Sequence, residues 1–149
     1  MNAKKIMPTT CLLTSIVAMI ALHFLFPATR IVPPLWNLLG IIPLTLGVVI
    51  NLIADRAFHK ANTTVKPFVE SSVLIKSGAF RISRNPMYLG FVLFLIGMAV
   101  LMGSLTPYVV ILAFAIVMDR MYITVEEHML AEKFVVEWEE YKRSTRRWI

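Results

Sequence analysis

Residues 87–118 read MYLGFVLFLIGMAVLMGSLTPYVVILAFAIVM, an apolar stretch without a charged residue, broken once at Gly103-Ser104 to Pro107. That break is a turn signal. It divides the stretch into a span over about 87–105 and a second over about 107–125, antiparallel neighbours because their connection is so short. The uninterrupted apolar part of the second ends at Met118, after twelve residues. At about 1.5 Å per residue that covers roughly 18 Å, against a hydrocarbon core of about 30 Å. The helix must therefore continue through Asp119 and Arg120, which places both charges at or just inside the membrane boundary. Charges there face a bundle interior or a wet cavity, or pair locally and snorkel to the headgroups.

Composition points the same way. Of 149 residues, 58% are apolar and 16% charged, against about 45–50% and about 25% in a soluble domain. One domain of this length has no soluble core that could hold the excess. The net charge of +6 comes from basic residues placed between and after apolar runs. It is read as orientation by positive charge rather than as a nucleic-acid surface, since no basic-aromatic module accompanies it. The single cysteine, Cys11, makes no internal disulfide and no multi-cysteine metal site.

Two further spans lie upstream. Lys4 and Lys5 precede an apolar run over about 11–27. A basic start and apolar middle also suit a signal peptide, but only Phe26-Pro27-Ala28-Thr29-Arg30 follows, without a small-x-small cleavage site, so a retained span is expected. Val32-Pro33-Pro34 is a stiff turn, and 35–54 is the second span, with Pro43 expected to kink it. Gly40 and Gly47 lie seven apart there, as do Gly90 and Gly97 in the third span. Each pair shares a face and lets another helix approach closely.

Residues 55–86 form a polar loop carrying Arg56, Lys60, Lys66, Lys76, Arg81 and Arg84 against Asp55 and Glu70. A loop of that length in a compact domain is usually functional or disordered. From Glu126 to about 142 an amphipathic helix is expected, with Leu130, Phe134, Trp138 and Tyr141 on one face. A basic tail through Arg147 suits an anionic membrane surface. The distribution of Lys and Arg places both termini and the long loop in the cytoplasm. The expected fold is an all-α integral membrane protein with about four transmembrane helices plus a cytoplasmic amphipathic C-terminal helix.

Two clusters could carry chemistry. At Gly78-Ala-Phe-Arg81-Ile-Ser-Arg84-Asn85-Pro86-Met-Tyr88-Leu-Gly90 the loop enters the third span, with Pro86 as first helical residue and Asn85 as cap. Free N–H groups of that first turn and two arginines favour a carboxylate or phosphate. The same residues are also ordinary flanks of a membrane helix. In Glu126-Glu127, one carboxylate must lie near the buried side. Glu127 shares the apolar face, and Arg120, seven residues earlier, falls on nearly the same face of an α-helix, while Glu126 lies about 100° around. There is no HExxH, CxxC or Walker signature. His128 is a candidate base.

These clusters together, with Leu130, Phe134, Tyr141 and a closing Arg147-Trp148-Ile149, resemble the isoprenylcysteine carboxyl methyltransferase and phospholipid methyltransferase superfamily over roughly the last ninety residues. The resemblance implies S-adenosylmethionine as methyl donor and a lipid-soluble acceptor at the cytoplasmic face. It implies a cofactor pocket at Gly78, Arg81, Arg84, Asn85, Tyr88, Gly90, Glu126 and Glu127. Carboxyl methyltransferases of eukaryotes have a histidine where this chain has Asn85, which sets it nearer the small bacterial and phospholipid-type members in an inner membrane. A carboxylate acceptor would need no base and could be held by Arg120 or Arg147. An amine would need one, with Glu127 or His128 nearest. Membrane lipids are the expected surroundings and no nucleic acid is expected. The competing reading is a non-catalytic four-helix membrane protein.

Overall fold

A computed structural model describes residues 6–26, 29–63 and 72–149. Lys4, Lys5, Pro27, Ala28, Lys66 and Glu70 lie outside the described residues. Among the described residues the regular structure is all-helical: α1 (Pro8–Leu25), α2 (Ile41–Lys60), α3 (Pro86–Met102), α4 (Pro107–Val117), α5 (Thr124–Lys133) and α6 (Val135–Ser144). Short 3-10 turns, Trp36–Gly40 and Gly78–Arg81, precede α2 and α3, and a π turn, Met118–Ile123, joins α4 to α5.

Three continuous helical runs are long and apolar enough to cross a membrane: Pro8–Leu25, Trp36–Lys60 and Pro107–Lys133. The fourth apolar helix, α3, has 17 residues and rises about 25 Å. It is the inner member of the bundle, packed against α1, α2 and α4. Its Tyr88, Leu95 and Ala99 are buried with Met19 of α1, Ile111 and Phe114 of α4, and Met118, Tyr122 and Ile123 of the π turn. The outward faces of the other helices carry exposed Leu13, Val17, Leu46, Leu112 and Ile116. That much exposed apolar surface suits lipid, not water.

The glycines fix how α2 and α3 meet. Gly40 faces Gly97 and Gly47 faces Gly90 across an antiparallel contact. A Cβ at Gly40 would lie 2.5 Å from the Gly97 carbonyl oxygen, and one at Gly97 2.6 Å from that of Gly40. Backbone thus rests on backbone at two levels, which only a missing side chain permits. Pro43 falls in the first turn of α2, just after the 3-10 segment, where a missing N–H is tolerated.

At the end remote from the polar loop, Gly103 closes α3 in the left-handed conformation (φ 74°), its N–H bonded to Ala99 O at 3.0 Å. Ile31 N donates to Gly103 O at 2.9 Å, and His23 Nδ1 and Ser104 Oγ are 2.7 Å apart. The opposite end collects the start of α1, the end of α2, the start of α3 and α5.

Three local features differ from the sequence expectation. Helix α2 continues past residue 54 to Lys60. In place of one helix over 126–142 there are two, divided at Phe134, whose φ of −112° and ψ of 25° lie outside the helical range. The helix expected over 107–125 contains the π turn.

Gly97→Val would drive a branched side chain into the α2 backbone. Overpacking of this kind costs about 1–3 kcal/mol. Thermal unfolding in detergent, followed by circular dichroism, is expected to show a clearly lowered midpoint for Gly97→Val and an unchanged one for Leu112→Val on the exposed face of α4.

Candidate active site

The polar loop reaches α3 through Ser83, Arg84 and Asn85. Pro86 starts the helix, but the Asn85 side chain makes no cap bond. Its amide instead donates to Glu127 Oε1 at 3.1 Å and to the Arg147 carbonyl at 3.2 Å. Buried Ser83 donates to the same carbonyl at 3.2 Å and accepts from the Asn85 N–H at 3.0 Å. The Arg84 N–H donates to Arg146 O at 3.0 Å. The segment after α6 is thereby strapped across the start of α3.

Beneath the strap lies a cluster of charges. Arg84 Nε and Nη2 donate to Glu127 at 3.0 and 3.4 Å, and its Nη1 donates to the Thr145 and Lys142 carbonyls at 2.8 and 3.3 Å. Arg147 Nε and Nη2 donate to Glu127 Oε2 at 3.1 and 2.9 Å. Its Nη1 lies 3.4 Å from each oxygen of Asp119, which also accepts from Trp148 Nε1 at 3.2 Å. The Arg84 and Glu127 side chains are only 8% and 9% exposed. A bidentate contact from Arg84, two N–H donors of Arg147 on Oε2 and the Asn85 amide saturate the Glu127 carboxylate, which is what a buried charge requires. Tyr141 donates to Phe80 O at 2.6 Å. Burial raises its phenol pKa above the ordinary value, with Arg84 pulling down and Glu127 pushing up.

Glu126 has a different role. About 100° around α5 from Glu127, it accepts from the Tyr88 hydroxyl at 2.8 Å and has no cation partner among the described residues. Both line a cavity of about 240 Å³ together with Phe58 of α2, Phe80 of the 3-10 turn and Phe91 of α3. Arg84 and Asn85 complete its polar wall, and exposed Met7 and Thr9 line its mouth at the start of α1. A carboxyl group among four aromatic rings has the chemistry that suits a cation.

Of the residues singled out in the sequence, Arg84, Asn85, Tyr88 and Glu126 line this cavity, and Glu127 and Arg147 lie in the ion cluster that supports it. Gly90 faces α2, where a Cβ would collide with the Asn51 side chain. Gly78 and Arg81 are exposed, and Gly78 lines a separate cleft. His128 is exposed and lies 3.3 Å from Glu132.

Arg120 is not brought in: its side chain is 81% exposed, 4.0 Å from Asp119. The π turn is the reason. Two α turns return to the same face after about seven residues, but a π turn holds one residue more. The residue above Glu127 is therefore Asp119, eight back, and Arg120 is swung outward. Asp119, read in the sequence only as a boundary charge beside Arg120, and Trp148, noted only in the closing motif, are the residues that join the cluster without having been assigned to it. Helical spacing alone favours Arg120, and nothing in the local composition marks a π turn.

Residues 35–136 match the model of the phospholipid methyltransferase family. The chain belongs to the phospholipid methyltransferase family. It is also 36% identical, over 129 aligned residues, to Protein-S-isoprenylcysteine O-methyltransferase of Saccharomyces cerevisiae, an alignment that covers 80% of this chain and 53% of that protein. The chain thus spans about half the length of that relative. In this phospholipid methyltransferase family member, the matched region includes α2, α3, both glutamates and all the cavity wall except the start of α1.

Glu127→Ala would leave buried Arg84 without its anion and Arg147 with Asp119 alone, a loss of about 3–5 kcal/mol. Denaturant unfolding in mixed micelles is expected to show that loss, whereas Glu126→Gln, beside an open cavity, is expected to unfold within about 1 kcal/mol of the parent. Equal destabilisation by both would contradict the separation of roles.

Proposed function

We propose that the protein is an S-adenosylmethionine-dependent methyltransferase acting on a lipid-soluble acceptor at the cytoplasmic membrane face. The observation that carries this reading is the Tyr88–Glu126 pair set in an aromatic cavity, in a chain of the phospholipid methyltransferase family. The residues present fit such a donor. The Glu126 carboxyl, without a cation partner among the described residues, and the faces of Phe58, Phe80, Tyr88 and Phe91 suit a cationic group. Arg84 lines the cavity with four of its contacts already made; a guanidinium has five N–H donors, so one is left to meet a carboxylate. When bound, S-adenosylmethionine supplies a methyl group already activated on a sulfonium. The protein then has to align donor and acceptor and exclude water.

The same wall favours an amine as acceptor. A carboxylate acceptor needs a cation, and Arg147 is committed to Glu127 and Asp119 while Arg120 points away. An amine needs a proton acceptor. Glu127 is saturated and His128 is exposed, which leaves Glu126, with Tyr88 orienting it. The proposed topology has α3 as a fourth span and the cavity end in the cytoplasm. Arg56, Lys60, Lys76, Lys142, Arg143 and Arg146 gather at that end, against Arg30 at the other. The bacterial inner membrane is the proposed location.

Incubation of purified protein with radiolabelled methyl donor and native membrane lipids, followed by identification of the product, tests the reading. A labelled N-methyl amine is expected. Glu126→Gln is expected to reduce turnover by about 10²–10⁴-fold with the fold intact, and Tyr88→Phe by less. A base-labile methyl ester as product would overturn the amine assignment. Absence of saturable S-adenosylmethionine binding would overturn the enzyme.

A further inference from the structure

On the far side of α2 from the cavity, a cleft of about 610 Å³ is bounded by Ile53, Arg56 and Lys60 of α2, the segment Val73–Leu74–Ile75–Lys76, and Gly78. Three cations line it. Arg56 and Lys60 are one turn apart and exposed, and neither has an acidic partner among the described residues. Lys76 comes from the opposite wall and, among the described residues, reaches only Glu137, at 3.9 Å between two exposed side chains, a contact worth little in water. Like charges four apart on a helix repel by a few tenths of a kcal/mol, so the arrangement costs stability unless an anion occupies it.

The helix below states which anion fits. Positions 49, 53, 56 and 60 share one face of α2, since their offsets of four, seven and eleven residues return to nearly the same angle. Along that face run Val49 and Ile53, 43% and 42% exposed, then Arg56 and Lys60. An apolar stripe in the hydrocarbon that ends in a cationic cleft mirrors a phospholipid, with its acyl chain on the stripe and its phosphate among the three cations. The partly buried Leu74 and Ile75 give the cleft an apolar second wall that a free phosphate would not use.

We infer that this cleft is a binding site for the headgroup of an anionic phospholipid, distinct from the cavity at Tyr88 and Glu126. It stands independently of methyl transfer, because none of its charged residues touches that cavity.

Native mass spectrometry of the full chain, released from micelles holding equal phosphatidylglycerol and phosphatidylcholine, reads the binding directly. One phosphatidylglycerol is expected to stay bound in preference. A surface cation contributes about fivefold to such binding, so Arg56→Gln/Lys60→Gln/Lys76→Gln is expected to lose the preference by more than about tenfold. Arg143→Gln/Arg146→Gln, which removes two exposed cations of the tail, is expected to keep it. All three cleft positions are exposed, so thermal unfolding of the triple variant should not fall below that of the parent. Lys60→Gln alone, with an expected loss of about fivefold, gives the same reading should the triple variant be unstable. Equal retention of phosphatidylcholine, or equal losses from both sets of variants, would overturn the site. Displacement of the lipid by millimolar inorganic phosphate would overturn its assignment to a lipid.

Discussion

A buried carboxylate must be matched by positive charge or it will not stay charged. Glu127 is matched twice, by Arg84 from the end of the polar loop and by Arg147 from beyond α6. This one requirement joins three stretches far apart in the chain. It holds the loop-to-helix corner at Pro86 against α5, and it draws the segment after α6 back across both. Neutral bonds from Ser83 and Asn85 to the Arg147 carbonyl then close the join. Once Glu127 is anchored inward, the helix turn leaves Glu126 one choice of direction, toward Tyr88 and the aromatic wall.

The adjacent glutamates therefore carry separate tasks, one holding the architecture and one facing whatever enters. A carboxylate taking five N–H bonds from three side chains has no capacity left for a ligand, and a carboxylate with one hydroxyl on it does. The contrast follows from saturation of lone pairs, not from the identity of the residues.

Much of the bundle was legible because lipid imposes simple demands. Apolar runs of span length, a proline at the start of α3 and of α4 and a glycine at the α3–α4 turn are local signals, and the structure uses them locally. The glycines at 40, 47, 90 and 97 carried a tertiary message as well, since paired small residues with one spacing on two helices imply that those helices touch. At the site, burial of Glu127 followed from its place on the apolar face of α5. What escaped were arrangements set by tertiary contact. The Arg147 carbonyl takes the Asn85 amide away from its capping position, and the outward turn of Arg120 depends on a widened helix turn with no sequence signature.

That widened turn gives residues 118–123 an unusual property. In an ordinary helix, loss of one residue twists everything downstream by about 100°, which here would carry Glu127 away from both arginines. Within the π turn the helix already holds one residue in surplus. Removing Arg120 would let the backbone relax to regular α geometry, with Asp119 and Glu127 then seven apart and still aligned. Chain length and side-chain facing are uncoupled in this short segment. Drift in length can be absorbed there without disturbing the ion cluster below it.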